Sequence, residues 1–169
     1  MIAREFIRRQ VAGAWRVYDA VTSDLTEEQF NWAPPGTANP ISATVAHIIG
    51  GADRFINAVI QGKPSLWESQ KWSDKVGVGV TPTRGANWEP YLGTQFSLEP
   101  FKAYKAAVQA SIDAYLETLT EADLDRKVLF HGEERIVGDM LALMVTHITQ
   151  HSGDVSTLKG IQGAKGLPY

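Results

Sequence analysis

The stretch VGDMLALMVTHITQHSGDVSTLK, residues 137–159, decides how the rest of the chain is read. Met140, Met144, His147, His151, Val155 and Leu158 recur in it at steps of three and four. That spacing lines one face of an amphipathic helix. Two histidines interrupt the otherwise apolar stripe. Residues four apart lie about one turn apart on the same helical face. Two imidazoles so placed can grip one metal ion. They can equally be hydrogen-bonded core residues, which is what buried polar side chains usually are.

Working outward, Gly160 and Gly163 signal the end of this helix, and the short tail GAKGLPY is placed against the bundle. Before it, residues 127–137, KVLFHGEERIV, read as a small hairpin or an extended turn around His131-Gly132, with His131 at the surface. A helix is predicted over 98–119, its inner face made by Phe101, Tyr104, Val108, Ser111, Ile112, Tyr115 and Leu119. Another is predicted over 41–61, capped by Ser42 or Asn39, with Val45, Ile48, Ala52, Phe55 and Val59 inward and His47 beside that stripe. Gly50-Gly51 lowers its helix preference and permits close packing or leaves room for a ligand. The first helix spans 3–22, with Phe6, Ile7, Val11, Ala14, Trp15, Tyr18 and Val21 inward and Arg4, Arg8, Arg9 and Arg16 wet. Thr26 and Gln29 form a capping box for a short turn after it, and Pro34-Pro35-Gly36 holds residues 31–40 as a connector.

The pattern is all-α: a four-helix bundle, one domain over residues 1–169. Between its second and third helices, residues 62–98 form a long crossover, broken by Gly77, Gly79, Pro82, Gly85, Pro90 and Gly93. It carries Trp67, Trp72 and Trp88, the first two on a short extra helical turn. These three can cap the core, line a substrate pocket or meet a second subunit.

Composition narrows the function. Hydrophobic residues make up 44% and charged residues 21% of the 169, ordinary for a globular chain. A net charge of −3 gives no electrostatic case for nucleic acid or an anionic membrane. No apolar run approaches the about 20 residues a bilayer needs, and the amphipathic start MIAREFIRRQ lacks a secretory h-region, so a cytoplasmic location is expected. With no Cys, disulfides and thiolate ligands are excluded, and a metal site must be built from His, Asp or Glu, which suits Zn, Ni, Fe or Mn.

Four histidines are present, and three share a setting. Val45-Ala46-His47-Ile48 echoes Val145-Thr146-His147-Ile148, as if each half of the chain placed one imidazole inward. Metal sites in helical bundles are made from inward side chains on facing helices. Three neutral imidazoles leave positions for water or substrate, and a bound water can have its pKa lowered from ~15.7 towards ~7. Gln150, Asp154, Asp53 and Asp139 are candidate partners behind the ligands. Glu5, Asp19 and Asp53 are possible general bases, with ordinary surface charge the plainer reading of each.

The segment His147-Ile148-Thr149-Gln150-His151-Ser152-Gly153-Asp154, followed by Lys159-Gly160 and Gly163, together with His47 seven residues into the second helix, resembles the C-terminal signature of the DinB/YfiT-like superfamily. The resemblance covers essentially the whole chain. It implies an up-down-down-up bundle, a divalent metal such as nickel or zinc held by His47, His147 and His151, and a homodimer. It also implies a small-molecule substrate, with a low-molecular-weight thiol as one candidate, since relatives include bacillithiol- or mycothiol-dependent S-transferases and hydrolase-like members. Leu143 and Met144 stand where relatives with a mixed His/Glu triad carry a carboxylate, so the chemistry of those relatives does not transfer. Three readings stay open: a metal-dependent transferase or hydrolase with no catalytic base yet named, a non-catalytic metal-stabilised stress or binding protein, and a structural helical dimer with buried histidines.

Overall fold

A computed structural model describes residues 2–79 and 86–167, the side chains of residues 86 and 87 apart. Pro82 and Gly85, two of the expected crossover breakers, lie outside those residues. The chain is predominantly helical, and its order follows from where apolar periodicity starts and stops.

Helix α1 runs Ala3–Thr22 and buries Val11, Ala14, Trp15, Tyr18 and Val21. Phe6, expected on that face, is instead 53% exposed, on the rim of a groove with Gln10 and Ala142. Helix α2, Glu27–Asn31, begins with the expected box: Gln29 N–H donates to Thr26 Oγ1 at 3.2 Å, and Thr26 N–H donates to Gln29 Oε1 at 3.1 Å. Helix α3 spans Ile41–Asp53 and is buried over most of its length. Its N-cap is Pro40, with no side-chain cap; neither Asn39 nor Ser42 serves. The predicted single helix to residue 61 is not continuous in register. Residues Arg54–Ile60 form a π-helical turn in which Gln61 N–H reaches Ile56 O at 3.2 Å. Arg126 Nη2 donates to Ile60 O at 2.8 Å and so meets a carbonyl at the end of that turn.

The crossover holds two short helices, α4 (Leu66–Ser69) and α5 (Trp72–Val76), and a 3₁₀ turn over Ala86–Tyr91. Trp67 and Trp72 are both buried with their rings 5.3 Å from Tyr104, so these two pack into the core. Trp88 does something else, described below. Helix α6, Leu98–Thr118, supplies Phe101, Tyr104, Val108, Ile112 and Leu116 to the core. Helix α7, Glu121–Leu124, repeats the capping-box arrangement with Thr120 and Asp123. Strands β1 (Lys127–Phe130) and β2 (Glu133–Ile136) pair antiparallel, with Phe130 opposite Glu133. The two residues between them, His131 and Gly132, have φ of 53° and 82°, the positive values a tight two-residue hairpin turn requires. His131 is exposed, as expected.

Helix α8, Val137–Ile161, is the central element: α1 and α3 both pack along it. Met140, Met144, Ile148, Val155 and Leu158 are buried on it, as the apolar stripe predicts. Near its end Lys159 is 0% exposed, and its ammonium meets Asp24 at 2.5 Å. The tail returns to this helix, where Leu167 N–H donates to Ser156 Oγ at 2.9 Å. Among the described residues no helix is long and apolar enough to cross a membrane.

Candidate metal centre

The three histidines meet where α3 crosses α8. Their ring centroids stand 4.6 Å apart for His47 and His147, 4.8 Å for His47 and His151, and 4.8 Å for His147 and His151. One nitrogen from each lies within 4.8 Å of the other two. Nε2 of His147 is 3.0 Å from Nε2 of His47. The helical step of four puts His147 and His151 one turn apart, and packing of α3 on α8 brings His47 across to both.

The surroundings suit neutral imidazoles. Phe55 packs edge-on to His147 at 5.5 Å, and Trp88 lies 5.0 Å from His47. Burial, with His47 and His151 beside it, pushes the His147 imidazole down to about 3. It is therefore neutral at ordinary pH, the form that ligates. Its Nδ1 is buried and has no hydrogen-bond partner among the described residues. A settled core histidine would have both ring nitrogens met. At most one hydrogen bond can join the two facing Nε2 atoms, so ordinary core packing accounts poorly for this pair.

His151 is oriented from behind. Its Nδ1 stands 2.8 Å from Asp154 Oδ2, one helical turn on. That contact sets the tautomer that leaves Nε2 as the free ligand atom. The donor set, three imidazoles with one carboxylate-oriented, fits a divalent transition metal; a group of this kind can bind a metal ion. The other expected partners do not reach it. Gln150 and Asp139 are exposed, and Asp53 is engaged by the crossover. Of the expected bases, Glu5 pairs with Arg9 and Asp19 with Lys105.

Gly51 is the residue that lets His147 sit where it does. A Cβ there would stand 2.5 Å from Cε1, 3.0 Å from Nε2 and 3.2 Å from Nδ1 of the His147 ring. The backbone of α3 thus closely approaches the face of a candidate ligand. Gly51→Ala should gain about 1 kcal/mol of helix preference while displacing the ring. We expect metal affinity to fall on the order of tenfold or more, as when a ligand loses the group that orients it. Competition with a chromophoric chelator measures this, and an unchanged affinity would show that the ring tolerates movement. The role of Gly51 was half-legible, since the paired glycines announced either close packing or ligand space. The approach of Trp88 to His47 carried no sequence signal.

Comparison with known proteins places these features in a family. The family model described as the DinB superfamily matches residues 10–155. No curated protein matches. Among solved structures, a conserved protein from Enterococcus faecalis superposes with a TM-score of 0.78 at 19% identity, covering 96% of this chain and 99% of that one. A DinB-like protein from Bacillus subtilis superposes with a TM-score of 0.61 at 17% identity, covering 98% of this chain and 96% of that one. At such identities the likeness speaks to the fold. The family match spans most of the chain, and the chain belongs to the DinB superfamily.

Proposed function

We propose that the chain holds one divalent cation on His47, His147 and His151 and uses it on a small organic molecule, as a thiol S-transferase or a hydrolase. The supporting observation is the meeting of three imidazole nitrogens within 4.8 Å, on two helices, around a ring pushed towards its neutral form. Such a cation, when bound, supplies Lewis acidity to a water, a thiol or a substrate oxygen. The chain's own residues do the rest. His47 from α3 and His147 from α8 bind side by side, Asp154 turns His151 towards them, and Phe55 packs edge-on to the His147 ring. Zinc, nickel, iron and manganese all suit imidazole with open positions. On the resemblance to relatives we also take the four long helices as an up-down-down-up bundle and the assembly as a homodimer.

A second reading, a cation that stabilises the bundle without turnover, is favoured by one observation. Asp154, the carboxylate nearest the cluster in sequence, is already engaged by His151. One preparation tests both. Elemental analysis of purified protein should find close to one transition-metal ion per chain. With metal at about 1,000 times Kd, binding adds ~4 kcal/mol, so stripping it should lower Tm by about 10 °C. A protein without metal, and with a Tm indifferent to added metal and chelator, would end the proposal. Turnover on a panel of thiols and electrophiles then separates the enzyme from the stabilised scaffold.

A further inference from the structure

Beside His151 lies a cavity of about 360 Å³, lined also by Asn39, Thr44, Trp88, Asp154 and Leu158 among others. It falls near the lower end of ordinary ligand pockets, about 300–1,000 Å³. We propose that this cavity takes an apolar-bodied thiol whose far end is neutral or cationic, and that Trp88 is the residue that selects it. The inference rests on the metal reading above and deepens it by naming the ligand class.

Three features of the site lead there. Trp88 is half-buried, and its ring is tilted 41° to that of His47 at 5.0 Å, while the same residue lines the cavity that His151 borders. A molecule reaching the cluster through this cavity lies against the indole, where an apolar or aromatic body gains burial and ring contact. Leu158 and Ile161 continue that apolar lining. Next, three imidazoles are neutral ligands and leave a divalent charge unbalanced, which favours an anionic donor atom, such as a thiolate, at the metal end. Finally, the fixed charge among the described lining residues is the Asp154 carboxylate; Asn39, Thr44 and Thr157 are neutral. Asp154 is 62% exposed at its side chain, so it meets what enters. A second carboxylate on the ligand would be set against it, and an ammonium would be paired with it.

The test uses full-length protein loaded with cobalt(II) and three thiols of one shape: 4-methylbenzenethiol, 4-(aminomethyl)benzenethiol and 4-mercaptobenzoate. Thiolate-to-cobalt absorption reads binding. At low salt the methyl and aminomethyl thiols should bind about tenfold or more tightly than the carboxylate, and the gap between the two charged thiols should narrow as salt is added. Trp88→Ala should weaken all three about tenfold with cobalt content unchanged, and Trp88→Phe, which keeps a ring, should retain most of the affinity. Mercaptobenzoate binding as tightly as the others overturns the charge assignment. Equal affinity in wild type and Trp88→Ala, or equal loss in Trp88→Phe and Trp88→Ala, overturns the role of the ring face. Cobalt uptake is read from its own spectrum before any thiol is added, so failure of the metal reading, which would remove this inference too, is seen separately.

Discussion

His147→Ala is expected to yield a folded protein that no longer retains a divalent cation. The ring lost is packed on several sides: its neighbours are two imidazoles, Phe55 and the backbone of Gly51. Two histidines would remain, His151 among them with Asp154 behind it. Loss of a partner behind a ligand commonly costs about 10–100-fold in affinity, and loss of a ligand should cost more. Metal content after dialysis should therefore fall from about one per chain to background. The stripped variant should lose only the ordinary ~0.5–3 kcal/mol of a point substitution, because the deleted ring carried an unpaired buried nitrogen into the core. The decisive quantity is the difference between loaded and stripped protein. It should be about 10 °C in Tm for the native chain, from a gain of ~4 kcal/mol, and near zero for the variant. Were the histidines plain core residues, the variant would lose stability while neither protein responded to metal. Full metal content in His147→Ala would remove this residue from the ligand set.

What the sequence made legible has a physical pattern. Helix α1 ends where residues 3–22 said it would, and α6 and α8 agree within about two residues, because apolar spacing, Pro and Gly are local signals. The hairpin was legible from His131-Gly132 for the same reason. His47 was found through its echo of His147, while Asp154 stood among four candidate partners with nothing local to single it out. What failed depends on contacts between distant segments. Nothing local distinguishes Phe6, which is exposed, from Val11, which is buried. The π-helical turn after Asp53 was equally silent, since its Asn57 is held from outside by Ser111 of α6 at 2.8 Å. Of the three crossover tryptophans, one faces the cluster and two face Tyr104, a division set by how the crossover folds back.

Asp53 shows how that fold-back is held, and it carries the other large prediction. Sequence reading had it as a possible base or ligand partner. In the structure it is 0% exposed and accepts four hydrogen bonds: from Asn57 Nδ2 at 2.8 Å, Leu66 N–H at 2.9 Å, Trp67 N–H at 2.9 Å and Tyr104 Oη at 2.6 Å. Two of those donors are the first N–H groups of α4, which a helix leaves unmet at its start. One carboxylate thus ties α3, the crossover and α6 together. Burial, with Asp53 beside it, pushes the Tyr104 phenol well above its ordinary value, so the phenol remains a donor. Asp53→Ala would leave four donors unmet in the core. Each unmet group costs about 1–3 kcal/mol, and hydrogen bonds to a charge are worth about 1.5–3 kcal/mol. With partial relaxation we expect a loss of roughly 4–6 kcal/mol, above the ordinary range for one substitution. Asp53→Asn keeps one accepting oxygen but turns an NH₂ towards two of the donors, so about half that loss should remain. Urea unfolding should order the midpoints native, Asn, Ala. Metal content of the folded fraction should stay unchanged, since no ligand is touched. An Asn variant as stable as the native protein would mean that the four contacts need an acceptor of that shape and not a charge.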